Sequence, residues 1–209
     1  MMQSLHIVLL GSSIFDSWAF RSGGPAVIDH LRKLLPDGWS ASLAAQDGDF
    51  VPDVIEQTLG VPDDATHLVV SAGGNDALNA LGLLSEPATS VYDSLHTLAD
   101  IRDGFRACYR AMLSHLKDLQ LPLAVCTIYD CVPRLGRQEK AALALFNEII
   151  LREAFEAGLP VIDLRIVCQE ESDYSVISPI EPSDTGGAKI AKVIAEILAN
   201  GSSQSHIYV

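Results

Sequence analysis

Hydrophobic and polar positions follow two patterns along this chain. Short, continuous apolar runs bounded by turn residues alternate with stretches in which apolar residues recur every three or four positions, which predicts strands alternating with helices. The runs are LHIVLL (5–10), SASLAA (40–45), THLVVS (66–71), PLAVCT (122–127) and PVIDL (160–164). Between the first two, Val27, Ile28, Leu31, Leu34 and Leu35 mark one face of a helix that stops at Pro36-Asp37-Gly38. A short helix is expected near 51–59. A long one carries Leu95, Leu98, Ile101, Phe105, Cys108, Met112 and Leu116, and another spans about 137–157. The closing helix places Ile190, Val193, Ile194, Ile197 and Leu198 on one face, and the tail GSSQSHIYV (201–209) is expected to fray.

Strands that are apolar on both faces and alternate with helices predict a parallel sheet covered on both sides, a three-layer α/β/α sandwich. Five strands favour the flavodoxin-like order 2-1-3-4-5. With no internal repeat and no Pro-rich linker, residues 1–209 read as one domain. In that order strands 1, 2 and 3 are neighbours, and ligands bind beyond their C-terminal ends, where the winding reverses.

Composition narrows the function more than the fold. A chain of 209 residues buries about 70% of its unfolded surface and needs no disulfide or metal staple. The net charge of −13 argues against nucleic acid or an anionic membrane as partner. The first apolar run is too short for a signal peptide and lacks a basic flank, and no stretch approaches a membrane span, so a cytoplasmic location is expected. None of the four cysteines forms a CxxC pair or a zinc spacing; Cys108 and Cys126 fall on apolar stripes and read as buried thiols. No GxGxxG or P-loop lysine points to a nucleotide, and no G-x-S-x-G points to a classical α/β-hydrolase.

Three turns leave strands 1, 2 and 3 on one edge: Gly11-Ser12-Ser13, QDGDF with Gly48, and SAGGNDAL with Gly73, Gly74, Asn75 and Asp76. Each has an ordinary explanation. Gly-Ser ends a strand, Asp-Gly is turn chemistry, and Asn75 or Asp76 suits the N-cap of a helix beginning at Ala77. Together they also bring a serine hydroxyl, a glycine N–H and an asparagine amide to one place, which is what acyl transfer requires. A helix starting behind Ser13 would add a dipole favouring negative charge.

At this point the chain resembles the SGNH (GDSL-type) serine hydrolases, which include esterases, lipases and carbohydrate deacetylases. The first block of that family matches GSSI (11–14), which implies Ser13 as nucleophile. Its second block implies Gly48 as an oxyanion donor, and its Gly-x-Asn-Asp block matches GGND, implying Asn75 as another. The resemblance implies a small ester or acylated substrate, with no metal or cofactor. The chain departs from the pattern at the block before the last helix. There the family carries Asp-x-x-His-Pro and this chain reads SPIEPS (178–183), with Ser178 for the aspartate and Glu181 for the histidine.

None of the histidines offers an obvious replacement. His6 and His67 lie at or near the wrong ends of strands, His30 and His115 fall on helices and are expected to face solvent, and His206 is in the tail; His96 follows the third block and could approach the site, although a helix-surface position is the expectation. Glu181 itself is a candidate base, although an ordinary glutamate, at about 4.3, is roughly two pKa units weaker than histidine unless burial raises it. Two readings therefore stand. One is a serine hydrolase using Ser13, Gly48, Asn75 and Glu181; the other is a domain without a catalyst that binds an acyl or carboxylate ligand in the same place.

Overall fold

A computed structural model of the chain describes residues 4–18, 24–200 and 207–208, with the backbone alone at 84, 199 and 200. Strand β1 (His6–Gly11) leads to α1 (Val27–Leu34) and β2 (Ser40–Leu43). A single helical turn, α2 (Val54–Gln57), flanked by 3-10 turns, precedes β3 (His67–Ser71) and α3 (Gly74–Ala80). Helix α4 (Val91–Asp118), β4 (Leu123–Cys126), α5 (Arg137–Glu156), β5 (Val161–Ile162), α6 (Leu164–Val167), α7 (Asp184–Asn200) and β6 (Ile207–Tyr208) complete the order.

All pairings are parallel, in the order β2-β1-β3-β4-β5-β6. The expected five-stranded order is present with one strand more. Ile207 and Tyr208, expected in a frayed tail, pair with Val161 and Ile162, and Tyr208 accepts from the Asp163 N–H at 2.9 Å. The rest of that tail, 201–206 and 209, lies outside the described residues.

Alternation along each strand divides the core in two, because successive side chains point to opposite faces. Ile7, Leu9 and Val69 join α1 and α7 on one face, while Val8, Leu10, Leu68 and Val70 join α4 and α5 on the other. Within the helices some expected stripe residues stay outside. Leu34 is exposed, and so is Leu95, which lies ahead of the packed part of α4. Cys108 is exposed rather than buried. The inward arc of α4 runs through Phe105, Tyr109, Met112, Leu113 and Leu116. At 3.6 residues per turn position 108 falls about 90° from the centre of that arc, and Tyr109 fills the core instead.

Helices α4 and α5 are fastened by a buried carboxylate. Glu153 on α5, only 4% exposed, accepts from Arg106 at 2.5 Å and from Arg110 at 2.7 Å. Burial pushes the Glu153 carboxyl up, but hydrogen bonds and charge from Arg110 and Arg106 outweigh it and hold it below its ordinary range. The sign follows: this stability is present above the unfolded glutamate pKa of about 4.3 and is lost as pH falls through the depressed folded value. Glu153→Gln should therefore cost about 1–2 kcal/mol at pH 7, or a few degrees of Tm. Thermal melts across pH should show the cost fading below about pH 4; a cost independent of pH would mean packing, not charge, joins the helices.

Candidate active site

The turn after β1 is fixed by the backbone. Gly11 has φ +124°, and a Cβ there would lie 1.9 Å from the Ser71 carbonyl oxygen, so only glycine fits so close to β3. The next residue exploits the approach, with the Ser12 N–H donating to that carbonyl at 3.1 Å. Gln57, buried on α2, clamps Gly11 from below: its Oε1 accepts from the Gly11 N–H at 2.8 Å and its Nε2 donates to the Gly11 carbonyl at 2.7 Å. Ser13 follows, 7% exposed. Among the described residues no helix begins directly behind it, at 14–17. The Ser12 carbonyl accepts from the N–H groups of Phe15 and Asp16, closing one turn only, so these residues supply no helix dipole to Ser13.

The third turn also differs from the N-cap expectation. Helix α3 starts at Gly74, capped by Gly73 with φ +111°. A side chain at 73 would press within 3.0 Å of the Phe105 ring. Asn75 and Asp76 therefore lie inside the first turn of α3 and are free to reach the neighbouring loop. Asn75 Nδ2 donates to the Asp49 carbonyl at 2.9 Å, and Asp76 accepts from the Val51 N–H at 3.1 Å. One amide hydrogen of Asn75 holds the second turn in place, and the other remains for a ligand.

Glu181 arrives from the loop before α7 and is 2% exposed. Its backbone is pinned on both sides: its N–H donates to the Ser178 carbonyl at 2.9 Å, and its carbonyl accepts from the Ser175 N–H at 2.8 Å. The preceding Ile180 carbonyl accepts from the Tyr129 hydroxyl at 2.5 Å. Tyr129 packs edge-on against Tyr174, with ring centroids 5.1 Å apart. The carboxylate lies beside the Ser13 hydroxyl, and one of its oxygens, Oε2, is buried without a partner. Burial is the main force on its titration, raising it; the nearby Ser13 hydroxyl pulls it down, and the negative charges of Asp47 and Asp16 add to the rise. The result is a carboxyl pushed up to about 7.

Ser13, Asn75 and Glu181 all line one cavity of about 240 Å³. Gly48 does not. It occupies an exposed turn with φ +89°, beside the carboxylate of Asp47. No histidine lines the cavity among the described residues. His96 is on the surface as expected, 3.7 Å from Asp100. His30 and His115 are half-buried rather than solvent-facing, the first bonded to Asp184 at 3.0 Å and the second to Thr58 at 3.1 Å. His6 meets Asp64 at 2.8 Å and Ser42 at 2.6 Å, far along β1 from the turn. The site thus holds a serine and a glutamate together, with no imidazole between them.

Several supporting side chains carry no signal in the sequence. Gln57 looks like any surface glutamine on a short helix. Asn147 brackets Ile128 through both its backbone N–H and its carbonyl, each at 2.8 Å, from the middle of α5. Tyr129 was findable, being a hydroxyl just past the end of a strand at the ligand-binding edge.

No protein-family model matches the sequence, and no curated protein matches it. Solved structures do. A lipase, Lip_vut3, from a goat rumen metagenome superposes with a TM-score of 0.73 at 17% identity, over 92% of this chain and 96% of that one. A member of the lipolytic G-D-S-L family from Veillonella parvula gives 0.67 at 14% identity, over 93% and 98%. A catalytic mutant of an acetylxylan esterase from Geobacillus stearothermophilus gives 0.67 at 15% identity, over 99% and 100%. The chain has the fold of these lipolytic enzymes, the fold that the resemblance to SGNH hydrolases implies.

The raised Glu181 carboxyl has a stability consequence of opposite sign to that of Glu153. A folded pKa near 7 against about 4.3 unfolded leaves stability untouched below about pH 4 and erodes it as pH rises toward 7, by about 3 kcal/mol in all. Relative to wild type, Glu181→Gln should gain stability between pH 4.5 and 8, read as a widening Tm difference in paired melts. Parallel pH curves for the two proteins would show that the carboxylate is not held out of water as described.

Proposed function

We propose that the protein is a serine hydrolase of the SGNH type that cleaves carboxylic esters, with a glutamate in the histidine's role. The observation carrying this reading is the placing of the Ser13 hydroxyl beside the buried Glu181 carboxylate, at the wall of a cavity that Asn75 also lines. A general base works best with a pKa near the working pH, and Glu181 at about 7 meets that condition. The two-unit deficit expected of an ordinary glutamate is absent.

In the reaction, ionised Glu181 takes the Ser13 proton as Oγ attacks the ester carbonyl carbon. Negative charge gathers on the carbonyl oxygen, where the free Asn75 amide hydrogen donates to it. Collapse of the intermediate expels the alkoxide, which takes the proton from Glu181 and leaves an acyl-Ser13 ester. Water then enters, gives its proton to Glu181 and attacks the acyl carbon. Ser13 departs as the leaving group, and the proton returns to its oxygen. Gly48, which does not line the cavity, takes no part in this scheme.

The position of Gly48 outside the cavity favours the second reading, a domain that binds an acyl ligand without turnover. Labelling with a fluorophosphonate followed by peptide mass spectrometry distinguishes them: hydrolysis predicts modification at Ser13. Ser13→Ala should lose ester hydrolysis to background, and Asn75→Ala should lower kcat by about 10²–10³-fold with little change in KM. Activity should rise with pH through about 7, as Glu181 ionises, and Glu181→Gln should remove both that rise and about 10²–10⁴-fold of the rate. Wild-type activity and pH profile in Glu181→Gln would overturn the mechanism, and an inert Ser13 with no hydrolysis of any ester would favour the binding domain.

A further inference from the structure

The opposite edge of the sheet holds a second serine, with the partners that the first one lacks. His6 opens β1, and its ring lies between two side chains remote in sequence: Nδ1 is 2.8 Å from Asp64 Oδ1, and Nε2 is 2.6 Å from Ser42 Oγ. A carboxylate can only accept, so Nδ1 carries the hydrogen of the neutral ring, and Nε2 must accept from the Ser42 hydroxyl. Serine, imidazole and carboxylate are thereby linked in the order and tautomer that activate a nucleophile. None of the three lines the Ser13 cavity.

Fastening of this edge does not account for the imidazole. Thr66 already ties it, with Oγ1 accepting from the His6 N–H at 2.8 Å and the Thr66 N–H donating to the His6 carbonyl at 2.8 Å. The group is within reach of solvent: Asp64 is exposed, His6 and Ser42 are half-buried, and Ser42 belongs to the edge strand β2. We propose that Ser42 is a second nucleophile, with His6 as its base and Asp64 as a positioning residue, that accepts an acyl group from a small, uncharged thioester or aryl ester. The Ser42 oxygen bonds to the acyl carbon as its proton passes to His6 Nε2. The C–S or C–O bond of the donor breaks, and the departing thiolate or phenolate takes that proton. Exposed Asp63 and Asp64 repel an anionic donor such as an acyl phosphate. Ser42 lies within β2, with Ala41 and Leu43 continuing the strand on either side, so no turn or helix N-terminus aims N–H groups at an oxyanion there. The product is an ordinary alkyl ester with a poor leaving group, so the acyl group stays in place. This chemistry is independent of Ser13.

The test is acetylation of Ser13→Ala by 4-nitrophenyl acetate, with the modified serine located by peptide fragmentation in the mass spectrometer. Acetyl should appear at Ser42 about 10²-fold faster than at Ser40, which is exposed on the same strand. A burst of about one 4-nitrophenolate per chain should accompany it, with no steady turnover above background. His6→Gln should slow acetylation of Ser42 by about 10²-fold. Asp64→Asn should slow it by about tenfold, the smaller factor reflecting an exposed carboxylate that water partly replaces, and Asp64→Glu should restore most of the rate. Comparing Ser42 with Ser40 requires no change at this edge, so it decides the matter even if the His6 variant fails to fold. Equal rates at Ser40 and Ser42, or a Ser42 rate indifferent to His6→Gln, would overturn the inference and leave the Ser13 reading standing. Fast acetylation of Ser42 in a wild-type chain whose Ser13 ignores the fluorophosphonate would support it and overturn that reading instead.

Discussion

A carboxylate taken out of water beside a serine hydroxyl is the arrangement on which the rest of this site depends. Glu181 has the Ser13 hydroxyl as a neighbour and one oxygen, Oε2, with no partner, so the desolvation of the charge is only partly offset. Such a group keeps its place only if its surroundings hold it. Ser175 and Ser178 fix its backbone, the Tyr129 hydroxyl fixes the carbonyl before it, and Gln57 fixes the glycine that aims Ser13. These contacts come from three separate segments. The cost of the buried charge is thereby spread over the whole sheet edge.

The same arrangement explains why two departures from the family pattern occur together. A histidine base needs a partner on its second ring nitrogen, to set the tautomer and to steady the imidazolium that forms. A carboxylate has two equivalent oxygens and no tautomer to set. It becomes neutral, not cationic, when it takes a proton, so a second carboxylate would bring it no benefit. With Glu181 as base, an aspartate at 178 would add only like-charge repulsion beside it. Ser178 instead offers its backbone carbonyl to the Glu181 N–H. On the proposed reading a single residue stands in for the pair Asp and His.

Much of this could be read from residues alone because strand periodicity and glycine turns are local signals. The runs around Val8, Val69 and Val125 gave their strands directly, and Gly11 and Gly73 marked turns that only glycine can make. Features that depend on tertiary partners were hidden. Cys108 and Tyr109 are neighbours on one helix, and only the position of the sheet decides which is buried. Ile207 and Tyr208 look like a tail until the free edge of β5 gives them hydrogen bonds. The half-burial of His30 and His115 depends on Asp184 and Thr58, which are remote in sequence. The titration of Glu181 was the least legible of all, since it is set by the absence of water and by two aspartates from other loops.

Those aspartates give the site its final constraint. Asp16 accepts from the Asp47 N–H at 3.0 Å, so the loops after β1 and β2 meet at an acidic rim beside Glu181. Burial and the Asp16 charge also push the Asp47 carboxyl up, although the Gly48 N–H pulls against them. Negative charge at this rim has two opposite effects on ester hydrolysis. It strengthens Glu181 as a base, because a proton on Glu181 relieves the repulsion. It also opposes the oxyanion, whose charge would develop close to the same carboxylates, and it leaves the Asn75 amide as the donor already free to meet it. Proton removal from Ser13 is therefore favoured by the feature that makes charge on the carbonyl oxygen costly.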